Sequence, residues 1–173
     1  RLPAAILWAF CRKTGENMDE KDHRMILEVS DVWRRYDQVY SRWAERHGFS
    51  TNEMSLMEEL HIRPAGMEPA IIADYLGVPR QTMTTTLDSL EKRGIIERLA
   101  HPTDRRRKVI KFTRAGREIA GVLMKELDGW MMGAMESLPP RERERTLAAV
   151  RSFCSRLEAT VSSNTEEKEP LCE

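Results

Sequence analysis

The sequence predicts a mostly α fold: a winged helix-turn-helix with a two-stranded β wing, flanked by a helical dimerisation region. Three observations predict it. Residues 67–113 hold two helical patterns joined by a tight turn, then two short strand patterns. Between the strands lies a basic tip, Arg105, Arg106, Arg107 and Lys108. Long amphipathic helical patterns stand on either side of this unit. Such an order suits duplex DNA, because a helix can fill a major groove while an arginine-tipped hairpin reaches the neighbouring backbone or minor groove.

The first helix runs from Asp22 to about His47. Ile26, Val29, Trp33, Tyr36, Tyr40 and Trp43 recur at spacings of three and four and form one apolar stripe, with Glu28, Asp31, Arg34 and Arg35 opposite. Gly48 stands in a C-cap position, and a narrow aromatic seam of this length calls for a partner helix. Ser50 or Thr51 caps a second helix to about His61, burying Met54, Leu56, Met57 and Leu60. Pro64 and Gly66 break it. A short third helix, Glu68–Tyr75, turns Ile71, Ile72 and Leu76 inward, and Gly77 supplies the turn. Pro79 fits the first position of a fourth helix that runs to Arg93, stops at Gly94 and buries Met83, Leu87 and Leu90.

The period then changes. Ile95–Leu99 and Val109–Phe112 read as strands, with Ile96, Leu99 and Val109 packing on the helices. His101–Arg107 is the tip, with Pro102 and Asp104 as turn formers. Thr113 caps a fifth helix to about Ser137. Pro139-Pro140 separates it from a sixth, Arg141 to about Val161, with Leu147, Val150, Phe153, Cys154 and Leu157 on one side. The domain reading is an N-terminal arm (1–21), a dimerisation helix (22–48), the winged unit (49–113), C-terminal dimerisation helices (114–161) and a disordered acidic tail (162–173). The arm, apolar over Leu2–Phe10, reads either as a partner-contacting segment or as residues upstream of a start at Met18.

Net charge is zero but unevenly spread. From Pro79 to Arg117 there are eleven Lys/Arg and four acids, giving +7, and the remainder carries 17 − 24 = −7. A local basic field on an acidic body suits a polyanionic partner. No apolar run approaches the roughly 20 residues that span a bilayer. Three dispersed cysteines (Cys11, Cys154, Cys172) and four scattered histidines give no disulfide framework, zinc motif or cofactor signature. That distribution fits a reducing, cytoplasmic setting. No nucleophile–base pair or phosphate loop points to an enzyme.

The fourth helix presents Arg80, Gln81, Thr82, Thr84, Thr85, Asp88 and Ser89 outward. Arg80 can bond guanine O6 and N7, Gln81 can pair with adenine, and the threonines can meet thymine methyls or phosphates. At the tip, a bond between Asp104 and Arg106 would hold the wing and aim Arg106 into a narrow minor groove. Arg105, Arg107 and Lys108 read as phosphate contacts.

The stretch LEKRGIIERLAHPTDRRRKVIKFTRAG resembles the winged helix-turn-helix of the MarR family of bacterial transcription regulators. The family's Asp-x-Arg wing pattern, followed after five residues by an apolar residue and Thr, is matched by Asp104, Arg106, Phe112 and Thr113, with Phe112 in place of the usual Leu. The resemblance extends over about 22–160. It implies a homodimer whose first, fifth and sixth helices interlock, and a repressor of a pseudopalindromic DNA operator released by a small ligand or oxidant. It also places ligands between the dimerisation helices and the winged unit. Trp33, Tyr36, Tyr40, Met57 and His61 are the candidate lining, with Trp43, Met54 and Trp130 beside them, and they suit a flat aromatic or phenolic effector. Two other readings stand beside this one: a winged-helix module that binds protein without specific DNA contact, and a regulator switched by a cysteine.

Overall fold

The computed structural model describes residues 19–104 and 106–166, with side chains to 163. Arg105, the arm up to residue 18 with Cys11, and residues 167–173 with Cys172 lie outside the described residues. The order is α1 (Glu20–Arg46), α2 (Thr51–Ile62), α3 (Pro69–Leu76), α4 (Arg80–Lys92), β1 (Ile96–Ala100), β2 (Lys108–Phe112), α5 (Arg114–Glu136) and α6 (Pro140–Glu166). The chain forms two compact units that divide after Val122. No helix among the described residues is long and apolar enough to cross a membrane.

The first unit holds the helix-turn-helix and wing. Its core is Trp43, Phe49, Met54, Leu56, Met57, Leu60, Ile72, Met83, Leu87, Leu90, Ile95, Ile96, Ile110 and Phe112, all buried. Local chemistry fixes each boundary. Asp19 caps α1 by accepting the Lys21 N–H. Ser50 and Glu53 form a reciprocal capping box at α2. Gly77 ends α3 in the left-handed conformation (φ 62°), and the Val78 N–H returns to the Ala73 carbonyl at 3.0 Å. That closure is a Schellman turn, and it turns the chain from α3 into α4.

The two strands pair antiparallel, from Ile96 opposite Phe112 to Ala100 opposite Lys108. Met67 adds an isolated bridge to Ile110, with both main-chain bonds made (3.1 and 2.8 Å). Gly66 makes this approach possible. A β-carbon there would lie 2.5 Å from the Ile110 carbonyl oxygen, and its φ is +88°.

Several expectations shift. Pro79 is the N-cap of α4, not its first helical residue, because its ψ of 141° is still extended. Ile71 is half-exposed (51%), while Ile72 is buried. One residue turns a helix by about 100°, so the inward face passes through Ile72 and Leu76 and leaves Ile71 outside. Leu99 is likewise exposed, since an odd offset from Ile96 puts it on the opposite face of the strand. α6 takes Pro140 at its start and continues through the expected tail boundary to Glu166. In the second unit Trp130, Met131, Met132, Leu147, Val150, Phe153, Leu157 and Val161 are exposed.

Candidate nucleic-acid interface

On α4, Arg80, Gln81, Thr84 and Thr85 are exposed and Thr82 is half-buried. The threonines are tied to their own helix. Thr84 Oγ1 donates to the Arg80 carbonyl (2.9 Å), Thr85 Oγ1 to that of Gln81 (3.2 Å) and Thr86 Oγ1 to that of Thr82 (2.9 Å). With the hydroxyl protons committed, the exposed Thr84 and Thr85 offer a methyl group and acceptor lone pairs, while Thr86 is buried. The exposed pair is suited to thymine methyls and base amino groups, and less to the phosphates also expected of it.

The helix is held from behind by Glu53, whose role the residue pattern of α4 alone gives no sign of. Glu53 is 7% exposed. Its carboxylate accepts from Ser89 Oγ at 2.6 Å and from the Ser50 N–H at 2.7 Å, and Arg93 lies 3.6 Å away. Burial pushes its pKa up, but the bonds from Ser89 and Ser50 and the Arg93 charge outweigh this and hold it below the usual value. Arg93 in turn stacks over Phe49 at 4.0 Å and donates to the Gly48 carbonyl. The signal that could have found Glu53 is the Ser50-x-x-Glu53 capping spacing.

The wing differs from its expected wiring. Asp104 does hold Arg106, but through the main chain: the Arg106 N–H donates to Asp104 Oδ1 at 2.9 Å. The tip closes with Arg107 N–H on the Asp104 carbonyl and His101 N–H on the Arg107 carbonyl, both at 3.0 Å. The Arg106 guanidinium therefore stays exposed, without an ion-pair partner among the described residues, as does Lys108. Arg107, expected on phosphate, is instead paired with Glu68: Nε donates to Oε2 at 2.7 Å and Nη2 to Oε1. Asp88, expected on the outward face, receives Arg98 at 2.5 Å, and Arg98 also reaches Glu91 at 3.0 Å. Part of the basic field is thus neutralised internally.

Residues 47–107 match the model of the MarR family. The HTH-type transcriptional regulator MhqR of Bacillus subtilis is 27% identical over 100 residues, which span 57% of this chain and 68% of that protein. Two further relatives are spanned over 64% and 61% of their own lengths, less than two thirds. Over its winged unit the chain is thus similar to the MarR family. Its fold is that of NMB1585, a MarR family regulator from Neisseria meningitidis, with a TM-score of 0.65 at 18% identity over 81% of this chain and 98% of that one. S. aureus MepR, solved as a complex with DNA, matches with a TM-score of 0.64 at 21% identity, over 73% of this chain and 96% of that one.

The effector candidates are only partly brought together. Tyr36 and Tyr40 lie parallel, ring centroids 6.4 Å apart, and line a cleft of about 240 Å³ with Asp37, Thr51, Asn52, Ser55, Glu58, Leu76 and Val78. Tyr40 donates to Glu58 at 2.7 Å, and burial pushes its pKa far above the ordinary value, so it remains a donor. Trp33, Met57 and His61 are elsewhere: Trp33 and His61 are exposed and Met57 is wholly buried in the core. Asp37 and Glu58 make the cleft acidic, and its described lining holds no basic side chain.

Proposed function

We propose that this chain is a transcription regulator that binds duplex DNA as a homodimer. Each α4 enters a major groove of a pseudopalindromic operator, and each wing places Arg106 in the flanking minor groove. The observation that carries this reading is the pairing pattern of the wing. Its neighbours Arg98 and Arg107 are neutralised internally, while Arg106 is left exposed, as are the polar residues Arg80, Gln81, Thr84 and Thr85 of α4. A protein-binding module has no need of such selective pairing. MepR, solved with DNA on the same fold, supports the reading.

The homodimer is supported by the apolar residues left exposed on α1 (Met25, Leu27, Val32, Val39) and on α6 (Leu147, Val150, Phe153, Leu157). Control by a ligand is supported by the Tyr36–Tyr40 cleft, which touches both ends of the α3–α4 turn through Leu76 and Val78. An effector seated there reorients α4 and releases the operator, so the chain acts as a repressor relieved by ligand. A neutral phenol can stack on the tyrosines and donate to Asp37. A phenolate meets two carboxylates.

Selection of duplexes from a random pool tests the reading. The expected product is a twofold-symmetric site with half-sites about one helical turn apart. Arg106→Ala should weaken binding to it and lower the slope of log affinity against log salt by about 0.9. A pool without enrichment, or a slope unmoved by Arg106→Ala, overturns it.

A further inference from the structure

We propose that Glu68 is a positioning residue that clamps Arg107 to the start of α3. Arg107 is then a brace for the wing instead of a phosphate contact, and Arg106 is presented from a pre-set tip.

Glu68 turns its side chain away from its own helix. It is the N-cap of α3, with extended backbone, yet its side chain makes no capping bond. A short polar side chain at that position ordinarily turns back on the first N–H groups of its own helix. Glu68 instead directs both carboxylate oxygens to Arg107, one from Nε at 2.7 Å and the other from Nη2. Two parallel charge-assisted bonds set direction as well as distance. The carboxylate is also largely withdrawn from water, its side chain being 18% exposed. Without the guanidinium it would be a poorly hydrated charge without that partner.

Sequence neighbours then do complementary work. Met67 holds β2 through its two main-chain bonds to Ile110, and Glu68 holds the end of the tip loop through Arg107. Arg98 ties β1 to α4 through Asp88 and Glu91. The hairpin is thereby fixed to both helices of the helix-turn-helix, to α3 by Glu68 and to α4 by Arg98. Arg106 precedes the clamped residue and donates its N–H to Asp104, so its backbone is set from both sides. A wing ordered in advance spends less of its binding free energy on immobilisation. A phosphate seeking Arg107 would have to displace a bidentate carboxylate.

This role rests on the DNA-binding reading, whereas the clamp itself does not, and two measurements on the full chain separate them. The first is amide hydrogen exchange across 101–108 in the DNA-free protein. Glu68→Gln and Arg107→Gln should each speed it about fivefold, the double variant no more than either, and the exchanged pair Glu68→Arg with Arg107→Glu should recover part of the protection. The second is affinity for a duplex selected by the wild-type chain, over a salt series. Each single variant should weaken binding about threefold with the salt slope unchanged. Wing exchange unchanged in Glu68→Gln overturns the clamp, whatever the DNA result. Tighter binding by Glu68→Gln, with a slope lowered by Arg107→Gln, overturns the bracing role and makes Arg107 a phosphate contact held in check. A loosened wing in a chain that selects no duplex upholds the clamp and rejects the regulator reading alone.

Discussion

Glu53 shows how much of the interface is decided by one buried charge. It joins the N-terminus of α2 to the far end of α4 through Ser50, Ser89 and Arg93. Replacing it by Gln keeps the volume but presents amide hydrogens to groups that are themselves donors. The expected cost is about 1–2 kcal/mol at neutral pH, read by urea unfolding. The sign with pH follows from its depressed pKa. The folded chain holds this proton less tightly than the unfolded chain, so the stabilisation is complete above the ordinary carboxylate value and fades as pH falls through the folded one. The gap between wild type and Glu53→Gln should therefore close as the pH falls below the ordinary carboxylate value; a gap that persists in acid removes the charge from the account. Residue roles at this scale were half legible. The capping spacing of Ser50 and Glu53 is local and readable. Whether Arg106 or Arg107 faces outward is not, because both are arginines on one tip and the choice is made by Glu68, 39 positions from Arg107.

Among the elements, helices and strands were recoverable because their limits are set by nearby residues: a serine cap, a glycine in the left-handed turn after α3, a proline before α4. Faces were less so. Ile71 and Leu99 are apolar and lie outside, since the sequence gives the period but only packing picks its phase. The junction of wing and α5 shows packing deciding composition. A β-carbon on Gly116 would fall 1.8 Å from the Ile95 carbonyl oxygen, whereas one on Gly121, in the same helix, would meet nothing within 4 Å. Gly116→Ala must push α5 off the start of β1 and should cost at least about 2 kcal/mol. Gly121→Ala should raise stability by about 0.5–1 kcal/mol through helix propensity. Equal effects of the two substitutions, measured in parallel unfolding curves, would contradict the close approach.

For the whole molecule, the decisive feature is apolar surface that a single chain leaves uncovered. On α6 Leu147, Val150, Phe153, Leu157 and Val161 recur at helical spacing and are all 38% exposed or more. A helix of 27 residues with such a stripe is stable in water when a partner helix covers it. The stripe was legible as periodicity, but its exposure depends on how many chains share it, which no single sequence records. Phe153→Glu tests the assignment to a second copy, since glutamate keeps helix propensity while placing a charge in the seam. Light scattering should then find a dimer for the wild type and a monomer for the variant, with the helix-turn-helix still folded by circular dichroism. Two linked half-site readers gain about 10²–10⁴ in avidity over one, so affinity for the symmetric duplex should fall by that order while affinity for an isolated half-site holds. A Phe153→Glu chain that stays dimeric and binds the full site undiminished would move the interface away from α6 and leave the exposed face of α1 as the surface that joins the two copies.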